Sequence, residues 1–306
     1  MKSIATHHFP QVIVDGKKKW LFNPILKKRF ANRPEERVRL RWVEYLLLQT
    51  NRKRSRIGFE TPVKLRQESN RSRADPLLYS GDLTPQILVE CKSESISLTP
   101  KVAEQAARYN VEVNADYVVL TNGVVDYWFT KSDQQVHNRP DSLYPIDNLN
   151  EVYGRPGYWT KRGFCSSQSS SNIEDWLNQF LPILFHDKTL WNTRYLDFKE
   201  SLLKVPMDHY YRVADYSDEI KIAITTLAGT DAETFLVGII NRKGVNHGVV
   251  SVKLNELLSG SGKPIAVFKG GGKVSKDCKD RQKDMLMEMN RHTLNKLPEF
   301  FMSVFD

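Results

Sequence analysis

Positions that suit one face of a helix recur along the stretch that follows Arg33-Pro34. They are Val38, Trp42, Tyr45, Leu46 and Gln49. Asn32 is expected to cap this helix, Pro34 suits its first turn, and the two glutamates that follow suit the positive end of the helix dipole. The spacing therefore predicts a helix that continues to about Leu48.

Shorter apolar runs between turn residues predict strands on either side of a second helix. We expect strands over residues 59–65, 74–79 and 86–91, a helix from Thr99 to about Glu112, and strands over 115–121 and 124–129. Asn122-Gly123, between the last two strands, is a hairpin signal. The order helix, three strands, helix and two strands is typical of an α/β domain, with a mixed sheet flanked by helices.

The second half of the chain is turn-rich at first and then mainly β. We place a first domain over residues 1–155, a serine-rich linker over 156–171 and a second, α+β domain over 172–306. The second domain is expected to contain a helix from Asn172, strands over 219–227, 235–240, 249–254 and 265–268, and a final helix over about 276–295. The final helix is expected to bury Leu286, Met289 and Leu294.

The expected location of the protein is the cytoplasm, without a membrane partner. No run approaches the ~20 apolar residues that a membrane-spanning helix needs. The first eight residues lack the apolar core of a signal peptide. The cysteines (Cys91, Cys165 and Cys278) are odd in number and far apart, unlike a disulfide framework or a cysteine-rich zinc site.

The net charge of +9 comes from the first part of the chain alone. Residues 1–120 hold 22 Lys+Arg and 13 Asp+Glu, whereas residues 121–306 hold 23 of each. Each basic cluster taken alone is equally well explained as a solvated face. Their concentration favours a polyanionic partner, because phosphate neutralisation supplies most non-specific affinity for nucleic acid. The expected nucleic-acid contacts are Lys53, Arg54, Arg71 and Arg73.

The run Ile87-Leu88-Val89-Glu90-Cys91-Lys92 carries the strongest chemical signal. Residues two apart in a strand share a face, so Glu90 and Lys92 are expected to project together, with Cys91 turned away. With Asp75 upstream, two acids can hold a divalent cation while the ammonium polarises a water, which suits metal-assisted phosphodiester cleavage. Acid–lysine pairs are common by chance, but the apolar run predicts a buried strand, where unpaired charges are expensive.

Six segments occur in an order that resembles a known family. They are Arg33-Pro34-Glu35-Glu36-Arg37-Val38-Arg39, Arg41-Trp42-Val43-Glu44-Tyr45-Leu46-Leu47, Arg73-Ala74-Asp75, Val89-Glu90-Cys91-Lys92, Gln105-x-x-x-Tyr109 and Leu120-Thr121-Asn122-Gly123. Over roughly residues 30–130 they resemble the N-terminal nuclease domain of type I restriction enzyme R proteins, in the PD-(D/E)XK superfamily. The resemblance implies a restriction-endonuclease-like fold and DNA cleavage that depends on Mg²⁺, for which Mn²⁺ can substitute, in restriction or phage defence.

The resemblance also implies roles for particular residues. Asp75 and Glu90 match the metal-binding acids and Lys92 the catalytic lysine, while Gln105 and Tyr109 match the motif that follows the active site. Gln105 and Tyr109 share a helical face, and without the resemblance Tyr109 would simply be packed on the sheet. Strand geometry makes the carbonyl of Cys91, but not its thiol, an additional metal ligand. On the first helix Glu35 is the expected acid, since its spacing to Val38 and Trp42 turns it to the sheet, and Glu36 is the second choice.

The chain departs from the family in two respects. Pro76 directly follows Asp75 and removes a backbone donor there, which puts strand pairing around Asp75 in question. The helicase motor of type I restriction enzymes is also not found in these residues. Leu258-Ser259-Gly260-Ser261-Gly262-Lys263-Pro264 imitates a phosphate loop, but Leu257 stands where the first glycine is needed and Pro264 where the Ser or Thr is needed. We therefore expect cleavage without ATP-driven translocation.

Two other functions are compatible with the same residues. A nucleic-acid-binding or scaffold protein could keep this fold without catalysis, although intact Asp75, Glu90 and Lys92 argue against it. An RNase would use the same three residues for catalysis. The second domain is expected to serve target choice, formation of a homo-oligomer or docking of a partner protein.

Overall fold

The computed structural model describes residues 1–16, 18–50, 52–63, 72–132, 137, 143, 149–155, 157–186, 191–197, 203, 205–229, 233–261, 263–269, 271–275 and 291–305. The chain divides into two compact units, one of residues 1–15 and 19–152, the other of residues 16–18 and 153–306. Within the described ranges, no helix is long and apolar enough to cross a membrane.

In the described part of the first unit, three strands precede the first long helix, five strands separate it from the second, and two strands follow. These elements are β1 (Gln11–Asp15), β2 (Lys18–Asn23), β3 (Lys28–Ala31), α1 (Pro34–Gln49), β4 (Ile57–Gly58), β5 (Thr61–Val63), β6 (Ser72–Ala74), β7 (Leu77–Tyr79), β8 (Pro85–Cys91), α2 (Pro100–Val113), β9 (Tyr117–Thr121) and β10 (Asp126–Thr130). A short helix, α3 (Leu149–Tyr153), follows them.

The central sheet of the first unit has the strand order β10-β9-β8-β7-β4. Strands β8 and β9 run parallel, with Glu90 opposite Leu120 and Cys91 opposite Thr121, and the other neighbours are antiparallel. The parallel pair requires a crossover, which α2 supplies between the two strands. The predicted α/β class with a mixed sheet is therefore confirmed.

Helix α1 is buried on two sides. Val38, Trp42 and Tyr45 belong to a core cluster with residues of the central sheet, including Val89 and Trp128. Leu40 and Val43, on another side of the helix, pack with Leu21 and Phe59 in a second cluster. Because two faces of α1 are covered, polar side chains of this helix, Glu36 and Arg41 among them, are buried as well.

The predicted cap of α1 is wrong by one residue. Arg33, in an extended conformation, occupies the capping position and its side chain makes no capping bond. Asn32 instead accepts a hydrogen bond on Oδ1 from Arg37 Nη1 at 3.0 Å. Pro34 at the first turn already lacks an N–H group, so one of the donors that a cap would satisfy is missing.

The predicted strand over residues 74–79 is interrupted. Strand β6 ends at Ala74, β7 begins at Leu77, and Asp75-Pro76 forms a bend between them. Strand β6 pairs with β5, whereas β7 pairs with β8. Proline cannot donate to a ladder, but the carbonyl of Pro76 accepts the N–H of Val89 at 2.9 Å. The bend turns Asp75 toward the end of β8.

The second unit is built around an antiparallel sheet of seven strands. Its elements are α4 (Ser171–His186), β11 (Asn192–Leu196), β12 (His209–Asp215), β13 (Ile220–Ala228), β14 (Thr234–Arg242), β15 (Val245–Lys253), α5 (Leu254–Leu258), β16 (Ile265–Phe268), β17 (Lys273–Ser275) and α6 (Arg291–Phe305). The strands follow one another in sequence order across the sheet. The prediction of a mainly β second part with flanking helices is confirmed.

The final helix extends ten residues beyond its predicted end at Asn295. Helix α6 continues through Pro298 to Phe305. Phe301 and Val304 are fully buried, and this packing outweighs the interruption that Pro298 causes in the helix. Of the predicted core positions Leu294 is buried, whereas Leu286 and Met289 lie outside the described residues.

The serine-rich stretch, predicted as part of a linker over 156–171, makes hydrogen bonds within the second unit. The N–H of Ser166 donates to Thr234 Oγ1 at 3.0 Å, and the hydroxyls of Ser169 and Thr234 are 2.8 Å apart. The carbonyl of Phe164 accepts from Thr226 Oγ1 at 2.8 Å. These bonds hold residues 164–169 against β13 and β14.

Candidate active site

The carboxyl end of β8 brings Glu90 and Lys92 together. Lys92 Nζ donates to Glu90 Oε1 at 2.7 Å, and the Glu90 side chain is only 6% exposed. Cys91, between them, is fully buried in the core cluster that contains Val89 and Trp42. Because successive side chains of a strand point to opposite faces, Glu90 and Lys92 lie on one face and the Cys91 thiol lies on the other.

Asp75 reaches the same strand end from the bend after β6. Its Oδ2 accepts the backbone N–H of Cys91 at 2.8 Å, and its Oδ1 lies 2.7 Å from Arg39 Nε. The side chain of Asp75 is 5% exposed. Glu90 is close enough that its charge raises the pKa of Asp75. The structure therefore brings together the three residues on which the chemical prediction depended.

The amino-terminal turn of α1 supplies two further acids. Arg39 Nη2 pairs with Glu35 Oε1 at 3.0 Å, and Arg39 Nη1 pairs with Glu36 Oε2 at 3.2 Å. Glu36 is buried, whereas the side chain of Glu35 is 44% exposed. Glu36 is thus the more buried of the two acids, and the choice of Glu35 as the metal-binding acid stays a prediction. Glu36 shares its face with Leu40 and Val43, which pack in the second core cluster of α1.

Burial dominates the electrostatics of Asp75. Removal from water raises the pKa of its carboxyl to about 8, an effect that the Arg39 guanidinium and the Cys91 N–H oppose. The pKa of Glu36 is also raised, chiefly by burial and against the attraction of Arg39. Burial places the pKa of the Cys91 thiol well above its usual range, which makes thiolate ligation unfavourable.

Lys92 keeps its proton despite its partial burial. Burial alone would lower its pKa, but the hydrogen bond and charge of Glu90 outweigh this effect, and the pKa is raised. The charges of Glu35 and Asp75 act in the same direction. Glu35 is therefore part of the same electrostatic cluster, although its side chain is half-exposed.

Arg39 is the residue of this cluster that sequence reasoning missed. It lies in the segment Arg33–Arg39 that carries the family resemblance, but the resemblance implies no role for it. Its spacing from Glu35 and Glu36, four and three residues, does indicate ion pairs within the helix. No sequence signal links it to Asp75, because that contact depends on the bend at Asp75-Pro76.

The other predicted site residues lie apart from these contacts or outside the described side chains. Tyr109 packs against Leu77 and Leu88, and no hydrogen bond among the described residues joins Tyr109 or Gln105 to the acids of the cluster. Lys53 and Arg54 are exposed, and Arg54 Nη2 donates to the carbonyl of Ile25 at 2.8 Å. Arg71 and the side chain of Arg73 lie outside what the structure describes.

The donor atoms of the cluster suit a hard divalent cation. Four carboxylates (Glu35, Glu36, Asp75 and Glu90) face two cationic side chains (Arg39 and Lys92). Glu36 Oε1 is buried and has no hydrogen-bond partner among the described residues. Excess negative charge and oxygen ligands are what Mg²⁺ and Mn²⁺ require. Still, no three acid, histidine or cysteine side chains in the described ranges are already arranged as a metal site.

Comparison with known proteins supports the same reading of the first unit. Residues 34–142 match the family described as type I restriction enzyme R protein N terminus (HSDR_N). Comparisons with curated proteins and with solved structures gave no match. The matched range begins at the first residue of α1 and includes all four acids of the cluster. Over residues 34–142 the chain is therefore similar to the N-terminal region of type I restriction enzyme R proteins, which confirms the resemblance for this range and suggests a nuclease or restriction role.

Proposed function

We propose that this protein is a Mg²⁺-dependent DNA endonuclease that hydrolyses phosphodiester bonds in restriction or phage defence, without ATP-driven translocation. The observation that carries the proposal is the convergence of Asp75, Glu90 and Lys92 at the end of β8. These residues come from two separate segments, and both segments lie within the range matched by the restriction enzyme family.

The proposed roles of the metal-binding groups and of Lys92 follow from their chemistry. Asp75 and Glu90, with Glu35 and the carbonyl of Cys91, would hold the ion. When bound, the ion would polarise the scissile phosphate and make a water more acidic. Lys92 would orient the attacking water or stabilise negative charge on the pentavalent phosphorane. Its pairing with Glu90 keeps it protonated, which suits charge stabilisation better than proton abstraction.

The remaining predicted residues have supporting roles in the proposal. Gln105 and Tyr109 of α2, which follow the active-site residues in the sequence, would help to position the catalytic groups. The packing of Tyr109 on Leu77 and Leu88 would hold α2 in place. Lys53 and Arg54, which are exposed, would contact DNA phosphates together with Arg71 and Arg73. The second unit would supply target choice, self-association or partner docking.

The test is digestion of duplex, single-stranded and branched DNA, and of RNA, by the purified protein with Mg²⁺ or Mn²⁺ and without ATP. We expect cleavage of DNA that is abolished by EDTA. Lys92→Ala should cleave on the order of 10²–10⁴-fold more slowly, the usual contribution of a positioned proton-transfer or charge-stabilising group. Intact DNA under every condition would remove the proposal, and cleavage of RNA alone would replace it with an RNase.

A second candidate, a nucleic-acid-binding scaffold without catalysis, is favoured by one observation. Arg39 already pairs with three of the four carboxylates, so it partly offsets their negative charge without a metal ion. Calorimetric titration with Mg²⁺ distinguishes the two candidates. A nuclease should have a site that disappears in Asp75→Ala, whereas a scaffold should give the same flat titration for both proteins.

A further inference from the structure

Arg39 contacts three carboxylates with three different nitrogen atoms. Nη2 pairs with Glu35, Nη1 with Glu36 and Nε with Asp75, at 3.0, 3.2 and 2.7 Å. Two of these partners lie one turn away on the same helix, and the third comes from the bend between β6 and β7. The Arg39 side chain is 22% exposed, so these pairs are partly shielded from solvent.

A lysine could not make the same set of contacts. Guanidinium presents its donors in a fixed plane, whereas an ammonium is a compact point charge. Glu36 and Asp75 are both buried, and a buried carboxylate without a cation is strongly destabilising. The other cation of the cluster, Lys92, is hydrogen-bonded to Glu90. Arg39 is therefore the cation in direct contact with the three remaining acids.

Both oxygens of Asp75 are already engaged. Oδ2 accepts the N–H of Cys91, and Oδ1 faces Arg39 Nε. A divalent cation that binds Asp75 through Oδ1 would lie against the guanidinium on the same oxygen, and the two positive charges would repel each other. Glu35 Oε1, another expected ligand atom, is likewise in contact with Arg39.

We propose that Arg39 is the internal counter-cation of this cluster: it positions Glu35, Glu36 and Asp75 when no metal is bound, and a divalent cation binds in competition with it. The competition rests on the proposed function, whereas the counter-cation role does not. Arg39 is thus a positioning residue, because it acts through the carboxylates. It preforms the site, and it also weakens the site's affinity for metal.

The first experiment needs no metal and no DNA. Thermal unfolding in EDTA is compared for wild type, Arg39→Gln, Arg39→Lys and Arg108→Gln, the last being the control because Arg108 is an exposed arginine on α2. We expect the midpoint to fall for Arg39→Gln, to fall less for Arg39→Lys and to stay unchanged for the control. An unchanged midpoint for Arg39→Gln would overturn the counter-cation role.

A double variant covers the case in which Arg39→Gln does not fold. Adding Asp75→Asn removes one of the carboxylates that has lost its cation, so the double variant should recover part of the lost midpoint. A double variant no more stable than Arg39→Gln alone would contradict a role based on charge.

The second experiment measures Mn²⁺ binding by calorimetry in the absence of DNA. Removal of a competing charge from a partly buried site should tighten the Kd by about tenfold or more in Arg39→Gln. An equal or weaker affinity in that variant overturns the competition. If neither protein binds Mn²⁺, the metal-dependent nuclease proposal fails and the competition fails with it, while destabilisation in EDTA still supports the counter-cation role.

Discussion

Asp75 accepts the backbone N–H of Cys91 at 2.8 Å, so a side chain from the bend after β6 is attached directly to the strand that carries Glu90. The bond joins two segments that belong to different strand pairs, β5–β6 and β7–β8. The backbone N–H group of Cys91, and not a mobile side chain, therefore fixes the position of Asp75 Oδ2. The position of Asp75 therefore depends on the sheet itself.

The first prediction separates the charge of Asp75 from its hydrogen bond. Asp75→Asn keeps an acceptor for Cys91 and loses the charge that faces Arg39. We expect the free energy of unfolding to change by no more than about 2 kcal/mol, since burial disfavours the charged carboxylate while Arg39 favours it. Cleavage should fall by about 100-fold or more, the scale of losing one preorganised electrostatic group.

The control for this variant is Asp82→Asn in an exposed turn, where the carboxylate bonds only to nearby Ser80 and Thr84 among the contacts described. Chemical denaturation and initial cleavage rates are measured for both variants. Cleavage by Asp75→Asn at the wild-type rate would exclude Asp75 from the chemistry.

The second prediction concerns the turn that faces α1. Gly123 has a φ of +78°, and an added Cβ would lie 3.1 Å from Val38 Cγ2 and 3.2 Å from Arg41 Nη1. Gly123→Ala combines backbone strain with crowding against a fully buried side chain, and should lower the free energy of unfolding by about 1–3 kcal/mol. Gly81→Ala, where an added Cβ meets nothing within 4 Å, is the matched control. Equal urea midpoints for both variants would contradict the assigned turn geometry.

The third prediction concerns the second unit. Gly238 in β14 lies under the ring of Phe301, and an added Cβ would come within 2.5 Å of that ring. Gly238→Ala should therefore cost about 1–3 kcal/mol through overpacking. Gly272→Ala, whose Cβ would stay 3.7 Å from Phe268, should be close to neutral. Hydrogen exchange of the amides in β14 and β15 gives the local measurement, and unchanged exchange in Gly238→Ala would refute the close packing of α6.

The fourth prediction is a pH dependence of stability. Burial raises the pKa of Asp126, although hydrogen bonds from Thr121 and from the N–H of Ile4 act against this effect. The folded protein thus binds the proton more tightly than the unfolded chain, whose carboxyl titrates near pH 4. The free energy of unfolding should fall as pH rises from about 4 through the raised pKa, by at most about 1.4 kcal/mol per pH unit.

The comparison that isolates this group is wild type against Asp126→Asn. The variant does not titrate at this position, so its stability relative to wild type should increase as pH rises through the window. Urea unfolding at several pH values provides the measurement. A difference that is constant with pH would mean that the pKa of Asp126 is not raised in the fold.

The sequence allowed the local part of the site to be predicted. The pairing of Glu90 with Lys92 follows from the alternation of side chains along one strand, and α1 and α2 follow from proline at their first turns and apolar spacing. These features depend on a few neighbouring residues. They can therefore be predicted without knowledge of how the strands pair.

The non-local part of the site was not predictable in the same way. Which of Glu35 and Glu36 is the more buried depends on which faces of α1 are covered, and Phe59 and Leu21 cover the face that carries Glu36. The contact of Arg39 with Asp75 joins residues from α1 and from a bend that the sequence pattern treated as a continuous strand. Tertiary packing decided each of these points, as it did for the extension of α6 past Pro298.

The burial of Cys91 gives the protein an internal probe of its own dynamics. The thiol lies in the central strand, is fully buried and has a raised pKa, so a labelling reagent reaches it only when that strand opens. The rate of native-state labelling at Cys91 therefore measures how often the strand that bears Glu90 and Lys92 separates from its neighbours. Ligands that hold the strand end closed can be ranked by how far they slow that rate, without a substrate and without turnover.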